Sequence, residues 1–351
     1  MSGWRGALPP NPDETARRAR RLALRAAAGG ALVAGGRTLG TLLAFAGLDA
    51  ATGDGAAAAG PLAPPSPAAS LLEGGEGEGE QTLEVAGAAL RLEFLDGFDA
   101  ALRAATLAAV RTAALAVAAY FGGRFPVAAA RIRLVAIEGR GVHAGRAYNE
   151  PDLNLRLHVG AASGAADFRD DWVMVHEMLH LAIPDVPRPQ LWFHEGIATY
   201  VEGVVRGQAG LAAPLEVWHE WRVGMPKGLP AQDDRGIDRT ATWGRTYWGG
   251  ALFCLLADLR IRERSRLKVG LPQALQGVIS AGGSYAVAWP LARTLAVADA
   301  AIGQDTLTRL HADWAETPVP IDLPALWANL GVGDAFDDRA PRASVRRAIL
   351  S

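Results

Sequence analysis

His176-Glu177-Met178-Leu179-His180 places two histidines one helical turn apart, with a glutamate beside the first. Residues four apart on an α-helix project about 40° from each other, so both imidazoles leave one face of the helix. They can converge on one metal ion, and Glu177 lies near the same face, where a carboxylate can take a proton from a metal-bound water. Five residues alone are a weak pattern, because such a string also arises by chance on buried helices.

The residues around this string favour a helix. Asp170 and Asp171 precede it, the next four residues (172–175) are apolar, and Pro184 ends it. The string therefore predicts half of a zinc site with a base beside it.

Glu195, which is predicted to open a second helical segment, is the candidate for the missing ligand, because a catalytic zinc takes three protein ligands and leaves one position open. The proline-rich loop 184–189 ends the first helix and stiffens the return of the chain. The alternative is a solvated carboxylate at a helix N-terminus, where the macrodipole favours it. Trp192 and Phe193, just before it, argue for a buried approach. The sequence thus predicts Zn²⁺ held by His176, His180 and Glu195.

The string His-Glu-x-x-His followed by Trp192-Phe193-x-Glu195-Gly196-x-x-x-Tyr200 resembles the gluzincin metallopeptidases. The stretch Tyr247–Phe253, with the run 255–265 after it, is similar to the tyrosine-bearing helix of the glycyl aminopeptidase family. The resemblance covers residues 130–335 and is dense between 172 and 265. It implies that the Tyr247 hydroxyl helps to hold the oxyanion of the tetrahedral intermediate.

The resemblance also implies an α+β fold. We expect a thermolysin-like zinc metallopeptidase lobe (82–205), in which a mixed sheet with an edge strand accompanies the His-Glu-x-x-His helix, packed on an all-helical C-terminal lobe (206–351). The active site would lie in the groove between them. We expect neither the N-terminal β-rich domain nor the PDZ domain that members of the glycyl aminopeptidase family usually carry.

Hydrophobic patterns divide the first lobe into elements. Alternating apolar residues predict a hairpin across Ala86-Gly87, and an Ala-rich run predicts a helix over 98–121. Strands are predicted over 131–138 and 153–159. Because the second has one polar face, it is interpreted as the edge strand that binds an extended substrate, with His158 as a surface residue on that face.

Two departures from the related enzymes bear on specificity and on the ligands. The Gly-x-Met-Glu-Asn loop that holds a substrate's N-terminus in related aminopeptidases has no match, since 139–149 contains no carboxylate. Thr199 stands where thermolysin-like enzymes place an Asp that orients a histidine ligand.

The remaining histidines and the single cysteine are predicted to serve as cleft-lining, surface or core residues: His143, His194, His219, His311 and Cys254.

Composition bears on partners and location. A formal net charge of −2 gives no reason to expect nucleic acid as a partner. A basic run (17–25) followed by an apolar stretch (26–50) has the order of a signal peptide or membrane anchor, although Arg37 interrupts it. The alternative is a disordered Ala/Arg-rich leader. We expect residues 1–50 to be this leader and 51–81 to be a disordered linker, with export to the periplasm or cell envelope favoured over the cytoplasm.

The sequence favours a zinc-dependent peptidase acting on a peptide or protein substrate, with Glu177 as general base. It leaves aminopeptidase and endopeptidase action open. Two alternatives are a non-catalytic, membrane-tethered binding protein that keeps the fold, and a gluzincin-type hydrolase of a non-peptide substrate such as an epoxide.

Overall fold

A computed structural model describes residues 79–351. The predicted leader (1–50) lies outside these residues, as does the linker (51–81) except for its last three positions. The first strand begins at Glu80, so regular structure starts before the predicted boundary at 82. Strands β1 (Glu80–Val85) and β2 (Ala88–Phe94) form the predicted antiparallel hairpin. Ala86 (φ 49°) and Gly87 (φ 81°) both adopt the left-handed conformation that a two-residue hairpin turn requires.

Three further strands complete a mixed sheet: β3 (Ala129–Ile137), β4 (Val142–Tyr148) and β5 (Asn154–Gly160). The strand order is β1-β2-β3-β5-β4. The central strands β2, β3 and β5 are parallel, whereas β1 and β4 are antiparallel to their neighbours. The two antiparallel strands therefore form the two edges.

The prediction that 153–159 forms the edge strand is wrong. Strand β5 pairs with β3 on one side and with β4 on the other, and β4 is the edge. Alternation of apolar and polar residues reports which faces of a strand are buried, but not whether both of its sides are hydrogen-bonded. Strand β4 escaped prediction because its residues are mostly half-exposed, so it shows no apolar alternation.

The core lies between one face of the sheet and the helices. Helix α1 (Ala100–Tyr120) connects the parallel strands β2 and β3, and Asp99 caps it by accepting the Leu102 N–H at 2.8 Å. By length and composition alone, α1 is apolar enough to cross a membrane. Its buried side chains nevertheless belong to the same hydrophobic core as Leu92 and Leu134 of the sheet, as expected of a core helix.

All regular elements after β5 in the described chain are helical. The helices that follow are α2 (Val173–His180), α3 (Leu191–Gln208), α4 (Pro214–Gly224), α5 (Gly250–Arg264), α6 (Leu271–Ser280), α7 (Leu291–Ile302), α8 (Thr306–Trp314), α9 (Leu323–Leu330) and α10 (Ala343–Ile349). An α+β fold is thus confirmed. The predicted boundary between 205 and 206 falls inside α3, and the described residues form one compact unit. The division into two lobes stays a prediction.

Helices α3 and α5 cross with their backbones in direct contact. A Cβ added to Gly196 would lie 2.4 Å from the backbone of Gly250, and a Cβ on Gly250 would lie 2.2 Å from the carbonyl oxygen of Trp192. Only glycine at both positions permits this approach. The crossing fixes α3 against the segment that precedes α5.

Replacing Gly196 by alanine should therefore destabilise the fold. We expect Gly196→Ala to lower the free energy of unfolding by about 1–3 kcal/mol, because the new methyl group overlaps backbone that cannot move independently. Urea denaturation followed by circular dichroism measures this change. Gly164→Ala is the matched control, since φ is −125° there and nothing lies within 4 Å of the added Cβ. Equal stability of the two variants would contradict the close crossing.

Candidate metal centre

The structure brings together the three predicted ligands. His176 and His180 extend from α2, and Glu195 extends from α3. The Oε2 atom of Glu195 lies 3.5 Å from His176 Nε2 and 3.6 Å from His180 Nε2. Among residues 79–351 this is the one group of three or more potential ligands whose donor atoms all lie within 4.8 Å of one another. Tetrahedral zinc with bonds of about 2.0–2.1 Å separates its ligand atoms by about 3.3 Å, so the set fits the ion.

Glu195 lies in the second turn of α3, because the helix begins at Leu191. The sequence had suggested that Glu195 opens this helix, and the structure corrects that expectation. The carboxylate is therefore not held by the helix N-terminus. Its neighbours Trp192 and Phe193 are buried, as the sequence indicated.

Partly buried polar contacts fix the two helices that carry the three predicted ligands. Asp171 accepts the backbone N–H groups of Val173 and Met174 at the start of α2. Burial raises the pKa of Asp171 to about 6 despite those two hydrogen bonds. At the start of α3, the Trp192 indole N–H donates to Asp238 at 2.7 Å. His311 lies 3.1 Å from the same carboxylate, which explains this histidine without a metal.

The ligand set is electrostatically coupled. Burial alone would raise the pKa of Glu195, but the charges of His180 and His176, with a hydrogen bond from His176, lower it to about 2. Burial lowers the pKa of His180 well below its usual value. Burial acts in the same direction on His176, where the hydrogen bond to Glu195 and the charge of Glu177 outweigh it and raise the pKa. A charged carboxylate thus faces two imidazoles in a buried site.

Edge strand β4 holds Glu177 in place. A Cβ on Gly145 would lie 2.3 Å from Glu177 Cγ, so only glycine leaves room for this side chain. The backbone N–H of Ala147 donates to the Glu177 carboxylate. Burial raises the pKa of Glu177 to about 7, against the lowering effects of His176 and the Ala147 hydrogen bond. The strand that sequence analysis missed is therefore the one that orients the predicted base.

Tyr247 reaches the ligand set from a different element. It lies in a π-helical turn, Arg245–Gly249, that runs directly into α5. Its phenol forms a hydrogen bond with Glu195, and burial followed by the charges of Glu195 and Glu177 raises its pKa. Two contacts hold the turn: Arg245 pairs with buried Asp234 at 2.7 Å, and a Cβ on Gly228 would lie 2.1 Å from the nitrogen of Gly249. Wide π-helical turns are frequent at functional sites.

Aromatic rings pack beside His180. The His194 ring lies parallel to that of His180, with centroids 4.6 Å apart, and the Tyr285 ring contacts His194 with centroids 4.8 Å apart at an angle of 43°. His194 hydrogen-bonds the backbone of Ile183 and, as predicted, is not part of the ligand set. Sequence analysis gave no role to Tyr285. Thr199 Oγ1 and His180 Nδ1 are buried and have no hydrogen-bond partner in the described part of the chain.

The other histidines and the cysteine also lie apart from the ligand set. His219 Nε2 lies 2.7 Å from the Gly333 carbonyl oxygen, and His143 packs against Gly139. His158 is half-buried on β5, where burial lowers its pKa. Cys254 is a buried free thiol inside α5, as predicted for a core residue.

No known family model and no curated protein matches the sequence of this chain. Several solved structures resemble it in fold. An aminopeptidase N family protein from Idiomarina loihiensis superposes with a TM-score of 0.50 at 15% identity, over 72% of this chain and 49% of that one. An M1 zinc metallopeptidase from Deinococcus radiodurans gives a TM-score of 0.46 at 16% identity, over 70% of this chain and 53% of that one. This chain therefore spans about half the length of these proteins, and its likeness to the first shows that the two share a fold.

Proposed function

We propose that this protein is a zinc-dependent peptidase that uses His176, His180 and Glu195 to hold the metal. The observation that supports this most strongly is the convergence of the three donor atoms, with Glu177 on the same helix face and Tyr247 bonded to Glu195. Two imidazoles and one carboxylate, with a fourth position open, are the donor set of a catalytic zinc. A structural zinc site would be closed by a fourth protein ligand, and residues 79–351 offer none here.

Bound zinc supplies Lewis acidity, which makes water nucleophilic near neutral pH and polarises a carbonyl group. Glu177 accepts the proton of the attacking water at its carboxylate, since Gly145 and Ala147 hold that carboxylate beside the ligands. It then returns the proton to the leaving amine. The Tyr247 hydroxyl donates to the oxyanion that develops on the substrate carbonyl. Its high pKa keeps it protonated for that role.

Strand β4 is the proposed docking edge for the substrate. It is the edge strand on the side of the sheet that contacts Glu177, and an edge strand can pair with an extended peptide through backbone hydrogen bonds. We further propose that residues 1–50 export the protein or tether it to a membrane, on the basis of their basic and apolar order.

Hydrolysis of quenched casein and of a mixed peptide library, with and without a chelator, tests the proposed function. We expect turnover that chelation abolishes and added zinc restores. Turnover that survives complete removal of the metal would contradict the proposal. Zinc binding without any turnover of peptides would favour the non-catalytic binding protein, and turnover of an epoxide alone would favour the non-peptide hydrolase.

Metal content provides a test of the ligands themselves. Protein purified without chelator should carry close to one zinc per chain, and His180→Ala or Glu195→Ala should lose most of it, because two ligands hold the ion poorly. Elemental analysis of folded protein measures this. His219→Ala is the control, since that histidine bonds to Gly333 away from the cluster. Unchanged zinc in the ligand variants would refute the assignment.

Glu177→Gln should remove the proposed general base and leave zinc binding intact. The amide keeps the shape that packs over Gly145 and still accepts the Ala147 N–H, so zinc content and stability should hold. Turnover should fall by a factor of at least about 100, because the amide cannot take the proton. Asp185→Asn, which removes a carboxylate near His194 and Tyr285, should retain most activity. Substantial turnover by Glu177→Gln would assign the base elsewhere.

Tyr247→Phe should remove a hydrogen bond that stabilises the transition state and leave substrate binding unchanged. Loss of one oxyanion donor costs about a hundredfold in turnover, or about 2.7 kcal/mol and above. We expect kcat to fall accordingly, with KM and zinc content little changed. Tyr285→Phe is the matched control, because that phenol lies beside His194, and Glu195 affects its pKa only through its charge. A near-normal kcat for Tyr247→Phe would reduce this tyrosine to a packing role.

A further inference from the structure

A polar cavity lies among the ends of several helices, outside the candidate metal centre. It is lined by the C-terminal ends of α1, α3 and α10 and by the turn that leads from α5 into α6. Its volume of about 340 Å³ falls within the range of roughly 300–1,000 Å³ that is usual for small-molecule sites. None of its lining residues is a predicted zinc ligand or one of the two proposed catalytic residues.

The lining of this cavity is basic and polar. It includes Arg262 and Lys268, with the amide side chains of Gln208, Gln273 and Gln276, and it includes no aspartate or glutamate. Among residues 79–351, Asp258 is the only carboxylate that forms an ion pair with either cation, and it pairs with Arg262. The charge of Lys268 is thus left without a counterion in that part of the chain, and the cavity favours an anion.

Arg262 is held rigidly in the wall of the cavity. It is only 7% exposed, and its Nε donates to Asp258 at 2.9 Å. The buried Asp258 carboxylate also accepts the Leu271 N–H at 2.8 Å and the Tyr200 hydroxyl at 2.9 Å. The guanidinium packs against Gly270, where a Cβ would lie 2.8 Å from its Cζ and Nη2 atoms. No described residue accepts a hydrogen bond from either terminal nitrogen of Arg262, and neither nitrogen is sealed from solvent.

The turn that carries Lys268 has an unusual backbone. Arg266 (φ 53°) and Leu267 (φ 65°) are consecutive non-glycine residues in the left-handed region, which is uncommon and occurs preferentially at functional sites. The Leu267 N–H donates to the Arg262 carbonyl oxygen at 2.7 Å, which fixes the turn against the end of α5. Leu267, which is 41% exposed, and Val269 line the cavity beside Lys268. The turn therefore presents apolar surface next to the two cations.

We propose that this cavity binds a small organic molecule that carries an oxyanion, either a carboxylate or a phosphate, on an apolar body. The oxyanion accepts hydrogen bonds from the terminal nitrogens of Arg262 and from the Lys268 ammonium group, since a guanidinium fork matches two oxygens of such a group. The apolar body packs against Leu267 and Val269. This binding goes beyond the proposed peptidase function and does not depend on it.

Isothermal titration calorimetry on the full-length zinc-loaded chain tests the proposal with four probes: phenyl phosphate, benzoate, inorganic phosphate and benzyl alcohol. We expect phenyl phosphate or benzoate to bind once per chain with a Kd of about 1 mM or below, at least about tenfold more tightly than inorganic phosphate or the neutral alcohol. The tighter of the two identifies the oxyanion. Absence of binding by both at about 10 mM would overturn the proposal.

Gln273→Glu is the variant that tests the site without removing a structural contact. Gln273 Oε1 accepts the Gly270 N–H at 2.7 Å at the start of α6, and a glutamate makes the same capping contact. The unfolding midpoint should therefore stay within about 2–4 °C of wild type, while the added carboxylate repels the anion and raises Kd at least about tenfold. Gln81→Glu makes the same change on the exposed strand β1 and should leave Kd unaltered. Wild-type affinity in Gln273→Glu would overturn the proposal.

Lys268→Gln removes the exposed cation and should raise Kd about five- to tenfold. Lys227→Gln is its control, because Lys227 is the only other lysine in the chain and does not line the cavity. An equal effect of the two variants would show non-specific attraction and contradict the proposal. Because zinc itself can bind oxyanions, the titration is repeated after chelation. Binding that disappears with the metal and is insensitive to Lys268→Gln would place the anion at the metal centre and overturn the inference, whereas binding that survives metal removal supports it whatever the turnover of peptides.

Discussion

The close contact of the Glu195 carboxylate with the His176 and His180 imidazoles is the constraint on which the rest of the structure depends. A charged carboxylate removed from water needs a compensating cation or strong donors close by, since isolated burial of the ion is very unfavourable. The two imidazoles supply part of that compensation at 3.5 and 3.6 Å, and they lower the pKa of Glu195 against the raising effect of its burial. A divalent cation between the same atoms would complete the neutralisation. The stability of this arrangement and the proposed metal binding therefore have one cause.

The surrounding elements position these three side chains, with Glu177 and Tyr247 beside them. Helix α2 is capped by Asp171, and α3 is fixed by the contact of Gly196 with Gly250. Strand β4 approaches closely enough at Gly145 to orient Glu177. The π-helical turn before α5 brings Tyr247 to Glu195, and it is itself held by the Arg245–Asp234 ion pair. Glycines thus occur where two backbones, or a backbone and the Glu177 side chain, come closest.

The site was largely predictable because its chemistry is encoded locally. Two histidines four apart converge readily on one metal when they lie on a helix, and a proline-rich loop returns Glu195 within a short span of sequence. Tyr247 was found only through resemblance, because its contact with Glu195 depends on packing between α3 and the segment before α5. Tyr285 carried no local signal at all, since only the tertiary fold places its ring over His194.

The fold, too, was predictable where it depends on local patterns and unpredictable where it depends on long-range contacts. Apolar alternation predicted the first hairpin and the central strands, but it could not identify the edge, because strand order is set by long-range pairing. Strand β4 was missed for that reason, and with it the position of Gly145 beside Glu177. The start of α3 was misplaced at Glu195, since the N-cap is Gln190, which is not a typical capping residue and makes no side-chain capping hydrogen bond.

The central claim is that one zinc ion lies between His176, His180 and Glu195. X-ray diffraction from crystals of the purified protein, recorded on both sides of the zinc absorption edge, tests it directly. The account predicts one strong anomalous peak at bonding distance from Nε2 of both histidines and from a carboxylate oxygen of Glu195, with Glu177 outside that distance. A peak coordinated by other residues, or a zinc-loaded crystal with no peak at these three side chains, would contradict it.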